Sequence, residues 1–231
     1  MGEQLTLRIP VPYQPVLEEM IGQQRRATLL PLLQHWIKTA SPRILVLYGD
    51  SGCGRTYTLS AVHHALQQQG YSNSARFLSL RCATLTPEAV GSLSCPWLFL
   101  DDLHWVLGHR EWEEALFDLY NRHPEQCWLV SSSGLPNAMC VIPDLGSRLM
   151  SGLVCPLDPW TEQDMSQFLQ EAASQKGIML ESEHLVYIMQ RAKRHPATLL
   201  RILERIDSMT LEFRCRVNFV ILRKALESNA G

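Results

Sequence analysis

Paired cysteines are missing from this chain. Its seven cysteines are scattered over 231 residues with no C-x-x-C among them, which excludes a zinc ribbon and argues for reduced thiols. A long basic run is missing too. Lys and Arg number 21 against 23 Asp and Glu, a net charge of -2, so a large non-specific nucleic-acid surface is excluded while a local patch is not. No apolar stretch reaches membrane-spanning length, and no charged segment followed by an apolar h-region stands at the N-terminus, so the expected location is cytoplasmic. There is no internal repeat and no low-complexity tract. What the chain does have is 46% hydrophobic residues, six of them Trp, enough for a full core in one large domain or a domain with a small appendage.

Along the chain, residues 1–12 read as extended, because two prolines disfavour helix and nothing caps one. The apolar spacing Leu29, Leu32, Leu33, Trp36, Ile37 predicts a helix over 25–39. Strands are predicted at 43–48, 75–80, 96–101, 127–131 and 152–156. Between them fall helices at about 55–69, at 86–93 with Thr86 as N-cap and Pro87 first, and near 111–122 with Trp112, Ala115, Leu116 and Leu119 on one face. The segment 143–149 reads as a loop. After Pro156 and Pro159 the pattern is helical throughout, at about 161–176, 181–193, 196–208 and 216–228, with Thr161 and Asp164 spaced for a capping box. Strands alternating with helices, then helices alone, predict an α/β fold: a three-layer domain with a parallel sheet over 13–156 and a small all-helical lid domain over 157–231, preceded by an extended tail over 1–12.

The chemistry concentrates at Gly49 to Thr56. The run Ile44 to Tyr48 leads into Gly49, Gly52, Cys53, Gly54, Arg55 and Thr56, which is the P-loop spacing G-x-x-x-x-G-K-[ST] with Arg55 in the lysine position. Glycines there let backbone N–H groups turn toward a phosphate, and the helix that follows adds its positive dipole end. Thr56 offers a hydroxyl to Mg²⁺. Arg55 keeps the charge but replaces a compact ammonium with a planar fork, which binds phosphate without suiting fast hydrolysis. Cys53 fills a small slot in the loop. About fifty residues on, the apolar run from Trp97 ends in Asp101 and Asp102, as a P-loop NTPase requires for its metal. Asp101 is the metal candidate, and Asp102 holds the place of a water-activating carboxylate.

This layout of P-loop, paired acids, serine-rich strand end, Ser-Arg segment and helical lid resembles the AAA+ ATPases. Met20 to Gln23 resembles the segment whose backbone meets adenine, which adds Ile21 and Gly22 to the nucleotide-binding set, with Tyr57 just past the loop. Four stretches are similar to the DnaA branch and, within it, to the regulatory inactivators of the initiator DnaA: Gly52 to Thr56, Trp112 to Arg122, Pro143 to Leu149, and Asn218 to Leu226. An arginine at the P-loop lysine position is common in that group. The resemblance covers essentially the whole chain and implies ADP or ATP with Mg²⁺ as ligands, and DnaA and the DNA polymerase III sliding clamp (beta subunit) as partners, with a homodimer possible. Within it, Gln4, Leu5, Leu7 and Ile9 match a clamp-binding peptide: the glutamine suits a small polar subsite and the aliphatic residues supply anchors. Arg148 matches an arginine finger that serves the ATP of DnaA, so the catalytic event occurs in the partner. Two positions depart from the AAA+ pattern. Ala197 stands where a lid sensor arginine is expected, with Arg194 one turn away, and Ser133 stands where an aspartate is frequent; both bear on the chain's own hydrolysis. The chain also stops after the lid, without a helix-turn-helix module, so sequence-specific DNA binding by this chain alone is not expected. Two other functions remain open on the residues: an autonomous AAA+ ATPase such as a helicase loader, and a nucleotide-free interaction module.

Overall fold

The structure, a computed structural model, describes residues 13–193 and 195–227. Residues Pro15–Asp164 form one compact unit, and Tyr13 and Gln14 join the helices from Met165 onward in another. Gln4, Leu5, Leu7 and Ile9, the residues expected from sequence to bind a clamp, lie outside the described residues, as does Arg194.

The first unit is built on five parallel strands: β1 (Ile44–Tyr48), β2 (Ala75–Ser79), β3 (Trp97–Asp101), β4 (Cys127–Ser132) and β5 (Leu153–Pro156), in the order β2-β3-β4-β1-β5. β1, β3 and β4 are near-continuous apolar runs buried along their length, the signature of strands covered on both faces. One face packs against α3 (Pro87–Gly91), α4 (Arg110–Arg122) and α5 (Pro143–Met150). There Ile44, Val46, Leu98, Leu100, Trp128 and Val130 meet Val90, Leu116, Leu119, Leu145 and Leu149. Strand alternation turns Leu45, Leu47, Phe99 and Leu129 to the other face. That side carries α1 (Gln23–Thr39) and α2 (Arg55–Leu66), and Trp36 meets Trp97 edge-on while His63 does the same to Phe99.

The segment read from sequence as a loop over 143–149 is a helix, α5. Pro143 stands at its first position, where no intrahelical N–H is needed. Asp144 faces the positive dipole end, and Leu145 and Leu149, four apart, are both fully buried. The approach to α5 is fixed by Glu113 of α4, a buried carboxylate that accepts from the backbone N–H groups of Gly108 (2.7 Å), Val141 (3.0 Å) and Ile142 (2.7 Å).

The helices after β5 are α6 (Glu162–Gln175), α7 (Ser182–Arg191), α8 (Pro196–Glu212) and α9 (Phe219–Glu227). The expected capping box at the start of α6 forms: Thr161 N donates to Asp164 Oδ2 at 2.8 Å and Asp164 N to Thr161 Oγ1 at 3.1 Å. In the second unit Phe168, Ile188, Ile202, Leu203 and Leu222 are buried. Tyr13 packs edge-on against Phe168, and Gln14 exchanges two hydrogen bonds with Gln175. No helix among the described residues is long and apolar enough to cross a membrane.

Candidate nucleotide-binding site

The strand order sets the site. β4 lies between β1, which carries the glycine-rich loop, and β3, which carries the acids, so all three strand ends open on the same edge of the sheet, where open parallel sheets place their ligands. Gly49 N donates to Ser132 O at 3.2 Å, tying the loop to β4. α2 begins at Arg55, and the Thr58 N–H and hydroxyl both donate to Gly54 O at 2.9 Å. Two glycines are required by close approach. A Cβ on Gly49 would lie 2.5 Å from Leu157 O. One on Gly54, whose φ is +87°, would lie 2.7 Å from the Trp160 ring. Cys53 is buried in the slot the sequence assigns it. Burial pushes its thiol pKa up, against the opposing pull of Arg55 and Arg25, which keeps it protonated and unreactive.

Asp101 is 3% exposed and accepts from the hydroxyls of Ser131 (2.6 Å) and Thr56 (2.8 Å). Burial raises its carboxyl pKa above the ordinary value, and the two hydroxyls oppose that rise. Thr56 and Asp101, the two residues singled out for the metal, are therefore in direct contact. The backbone N–H of Asp102 donates to Ser131 Oγ at 2.8 Å. The side chain of Asp102 turns to two cations, Arg55 Nη2 at 3.6 Å and Arg81 Nη1 at 3.8 Å, while Arg55 Nη1 donates to Gly49 O at 2.6 Å. The serine that engages the acid is thus Ser131. Ser133, flagged from sequence, donates its backbone N–H to His104 Nδ1, and burial lowers the pKa of that imidazole, keeping Nδ1 available as acceptor.

Ile21 is fully buried and Gly22 caps α1. One turn into α1, Arg25 donates to Asp158 O, lies 5.6 Å from the Trp160 ring, and is electrostatically coupled to Cys53 and Tyr57. Burial lowers the pKa of its guanidinium. Trp160 meets Tyr57 edge-on at 5.3 Å and lies against Gly54. The loop, Tyr57, Asp101 and Asp102 thus form one cluster, with Gly22 beside Arg25 and Ile21 buried just before it. Sequence reading missed Arg25, Trp160, Ser131 and Arg81. A lone tryptophan after Pro159 was the one visible cue.

Arg148 belongs to a different place. It is exposed on α5, 5.8 Å from the Tyr120 ring, whose face is also covered by Arg43 at 3.6 Å. In the second unit, Ala197 is exposed in the first turn of α8.

Sheet order, P-loop and strand-end acids together define a P-loop protein of the AAA+ class. Domain III of the DnaA replication initiation protein of Thermotoga maritima superposes on the chain with a TM-score of 0.73 at 17% identity, covering 95% of this chain and 98% of that one. AMPPCP-bound DnaA of Aquifex aeolicus gives 0.61 at 18% identity, covering 86% and 65%. Residues 162–226 match the family model described as Hda, lid domain, and an uncharacterized protein of Haemophilus influenzae is 30% identical over 234 residues, covering 98% of this chain and 99% of its own. The chain belongs to the Hda-like family of DnaA-type AAA+ proteins.

Proposed function

We propose that this protein is a clamp-tethered regulator that stimulates hydrolysis of the ATP bound to DnaA and so restrains the initiation of replication. In this reading residues 4–9 hold the DNA polymerase III sliding clamp. The P-loop site holds ADP or ATP, and Arg148 enters the nucleotide site of DnaA, where a guanidinium stabilises charge developing on the γ-phosphate, an effect of ~10³–10⁵ in rate in other NTPases. The cytoplasm is where these partners meet it. The observation that carries the reading is the contrast between two arginines. Arg55, in the chain's own site, is engaged by Gly49 O and Asp102. Arg148 is exposed on a helix whose other face is anchored by buried Leu145 and Leu149.

The residues present suit a Mg²⁺-nucleotide. Gly49 and Gly54 leave no space for a Cβ beside Leu157 O and the Trp160 ring, and Thr56 and Asp101 present hard oxygen donors side by side, which fits a cation that takes few protein oxygens and the rest from phosphate and water. Bound Mg²⁺ would neutralise phosphate charge. Thr56 and Asp101 would hold it, backbone N–H groups of 52–57 would bind phosphate, and Ile21, Gly22, Arg25 and Trp160 would border the rest of the nucleotide. The Asp102 side chain is held by Arg55 and Arg81 rather than left free to orient a water, which supports weak turnover here and speaks against an autonomous ATPase. The test is single-turnover hydrolysis of ATP preloaded on DnaA, with and without this protein and DNA-loaded clamp. Acceleration that needs both supports the reading. Acceleration without clamp removes the tether from it, and none at all overturns it.

A further inference from the structure

Tyr120 carries an aromatic ring on α4 within reach of Arg148 on α5. It is placed by the helix period: Glu113, Leu116 and Tyr120, at i, i+3 and i+7, share the face of α4 that turns toward the sheet and α5. Glu113 fixes the chain entering α5 through three backbone N–H groups. Tyr120 stands a further two turns along, and its ring meets the edge of fully buried Trp128 at 5.8 Å. The Arg43 guanidinium lies over the same ring at 3.6 Å and is itself locked at the C-terminal end of α4, donating to Tyr120 O (2.5 Å), His123 O (2.5 Å) and Gln126 O (2.9 Å). The ring is therefore held by a buried indole and by a cation with three acceptors of its own. Arg148 Cζ comes to 5.8 Å from its centroid, within the range where an aromatic quadrupole attracts a guanidinium.

A long exposed arginine otherwise samples many rotamers, and an arginine that must enter another protein's site loses that freedom on docking. An aromatic surface under the guanidinium narrows the choice beforehand while leaving the N–H fork free for phosphate. We propose that Tyr120 is a positioning residue for Arg148: its ring, fixed by Trp128 and Arg43, pre-orients the Arg148 guanidinium for action on a partner's nucleotide. This rests on the reading of Arg148 as a finger acting in trans.

Two measurements on the full chain separate the two ideas. The first uses no partner: NMR relaxation of the Arg148 Nε–Hε group in wild type, Tyr120→Phe and Tyr120→Leu. Wild type and Tyr120→Phe should show the same restricted motion, and Tyr120→Leu a freer side chain at a temperature where all three proteins are fully folded. The second is hydrolysis of DnaA-bound ATP at saturating protein. Tyr120→Leu should lower the maximal rate about 3- to 5-fold, the scale of one exposed cation–π contact, with half-saturation little changed, and Tyr120→Phe should restore it. Equal Arg148 mobility in all three proteins, or full stimulation by Tyr120→Leu, overturns the proposal. If Arg148→Ala itself stimulates fully, the finger reading falls and takes this role of Tyr120 with it, whatever the relaxation shows. If Tyr120→Leu loses global stability, Tyr120→Ile and Tyr120→Met are compared at matched stability, and an unchanged rate in both counts against the proposal.

Discussion

Gly54→Ala tests how the phosphate loop is closed. Read from sequence, a side chain at this position removes the space a phosphate needs. The structure adds a second cause that acts without any ligand. Gly54 has φ +87°, and its added Cβ would sit 2.7–2.8 Å from Cζ2, Cε2 and Nε1 of Trp160. The left-handed backbone costs an alanine ~1–2 kcal/mol. The indole is 7% exposed and packed against Tyr57, so moving it adds an overpacking cost of ~1–3 kcal/mol. Together these predict a loss of roughly 2–5 kcal/mol in the nucleotide-free protein. At ~2–4 °C per kcal/mol for a unit of this size, melting should fall by roughly 4–20 °C. Calorimetry of wild type, Gly54→Ala, Trp160→Ala and the double variant measures the two parts separately. The double variant should be more stable than the sum of the singles predicts, by ~1–3 kcal/mol, because the clash is gone while the backbone cost stays. Strict additivity, or an unchanged melting temperature for Gly54→Ala, would refute the indole contact as the reason for glycine here.

Asp101→Asn should stabilise the nucleotide-free protein. The folded-state pKa of Asp101 is raised by burial, so its favourable contribution is complete below the unfolded pKa and is lost as pH rises through the folded one; the melting advantage of the variant should therefore grow from pH 4 to pH 8, and the stabilisation that Mg²⁺ adds to nucleotide should disappear. Replacing Gln4 and Leu5 together by alanine should weaken binding to the sliding clamp in a pull-down while nucleotide affinity stays within twofold; undiminished clamp capture would move the tether elsewhere.

The parts of this molecule that were legible in the sequence are those written in consecutive residues. Ile44 to Thr56 states a strand, a glycine-rich turn and a helix in order, and Trp97 to Asp102 states a buried strand ending in acid. Helix α5 was hidden because Pro143, Asp144, Gly146 and Ser147 are turn formers, and the two leucines that anchor it make only one i,i+4 pair. The cover of the loop was illegible for a different reason. Trp160 reaches Gly54 from 106 residues after it, and Arg25, 29 residues before Gly54, lies against Trp160; no local pattern marks a pair assembled by the tertiary fold. The counter-ions of Asp102 come likewise from Arg55 on α2 and Arg81 after β2. Ser131 carries no local mark: three successive serines follow Val130, and only the register of the sheet decides which hydroxyl meets Asp101.

Arg148→Ala in single-turnover hydrolysis of ATP preloaded on DnaA, with DNA-loaded clamp present, tests the central claim most directly. The guanidinium is exposed and makes no hydrogen bond or ion pair within the described residues beyond its approach to Tyr120, so the variant should fold, bind nucleotide and bind clamp as wild type does. The account predicts that it accelerates DnaA hydrolysis at least ~100-fold less than wild type, and that Arg148→Lys is nearly as poor because one ammonium cannot reproduce the planar fork. Acceleration by Arg148→Ala equal to wild type would contradict it.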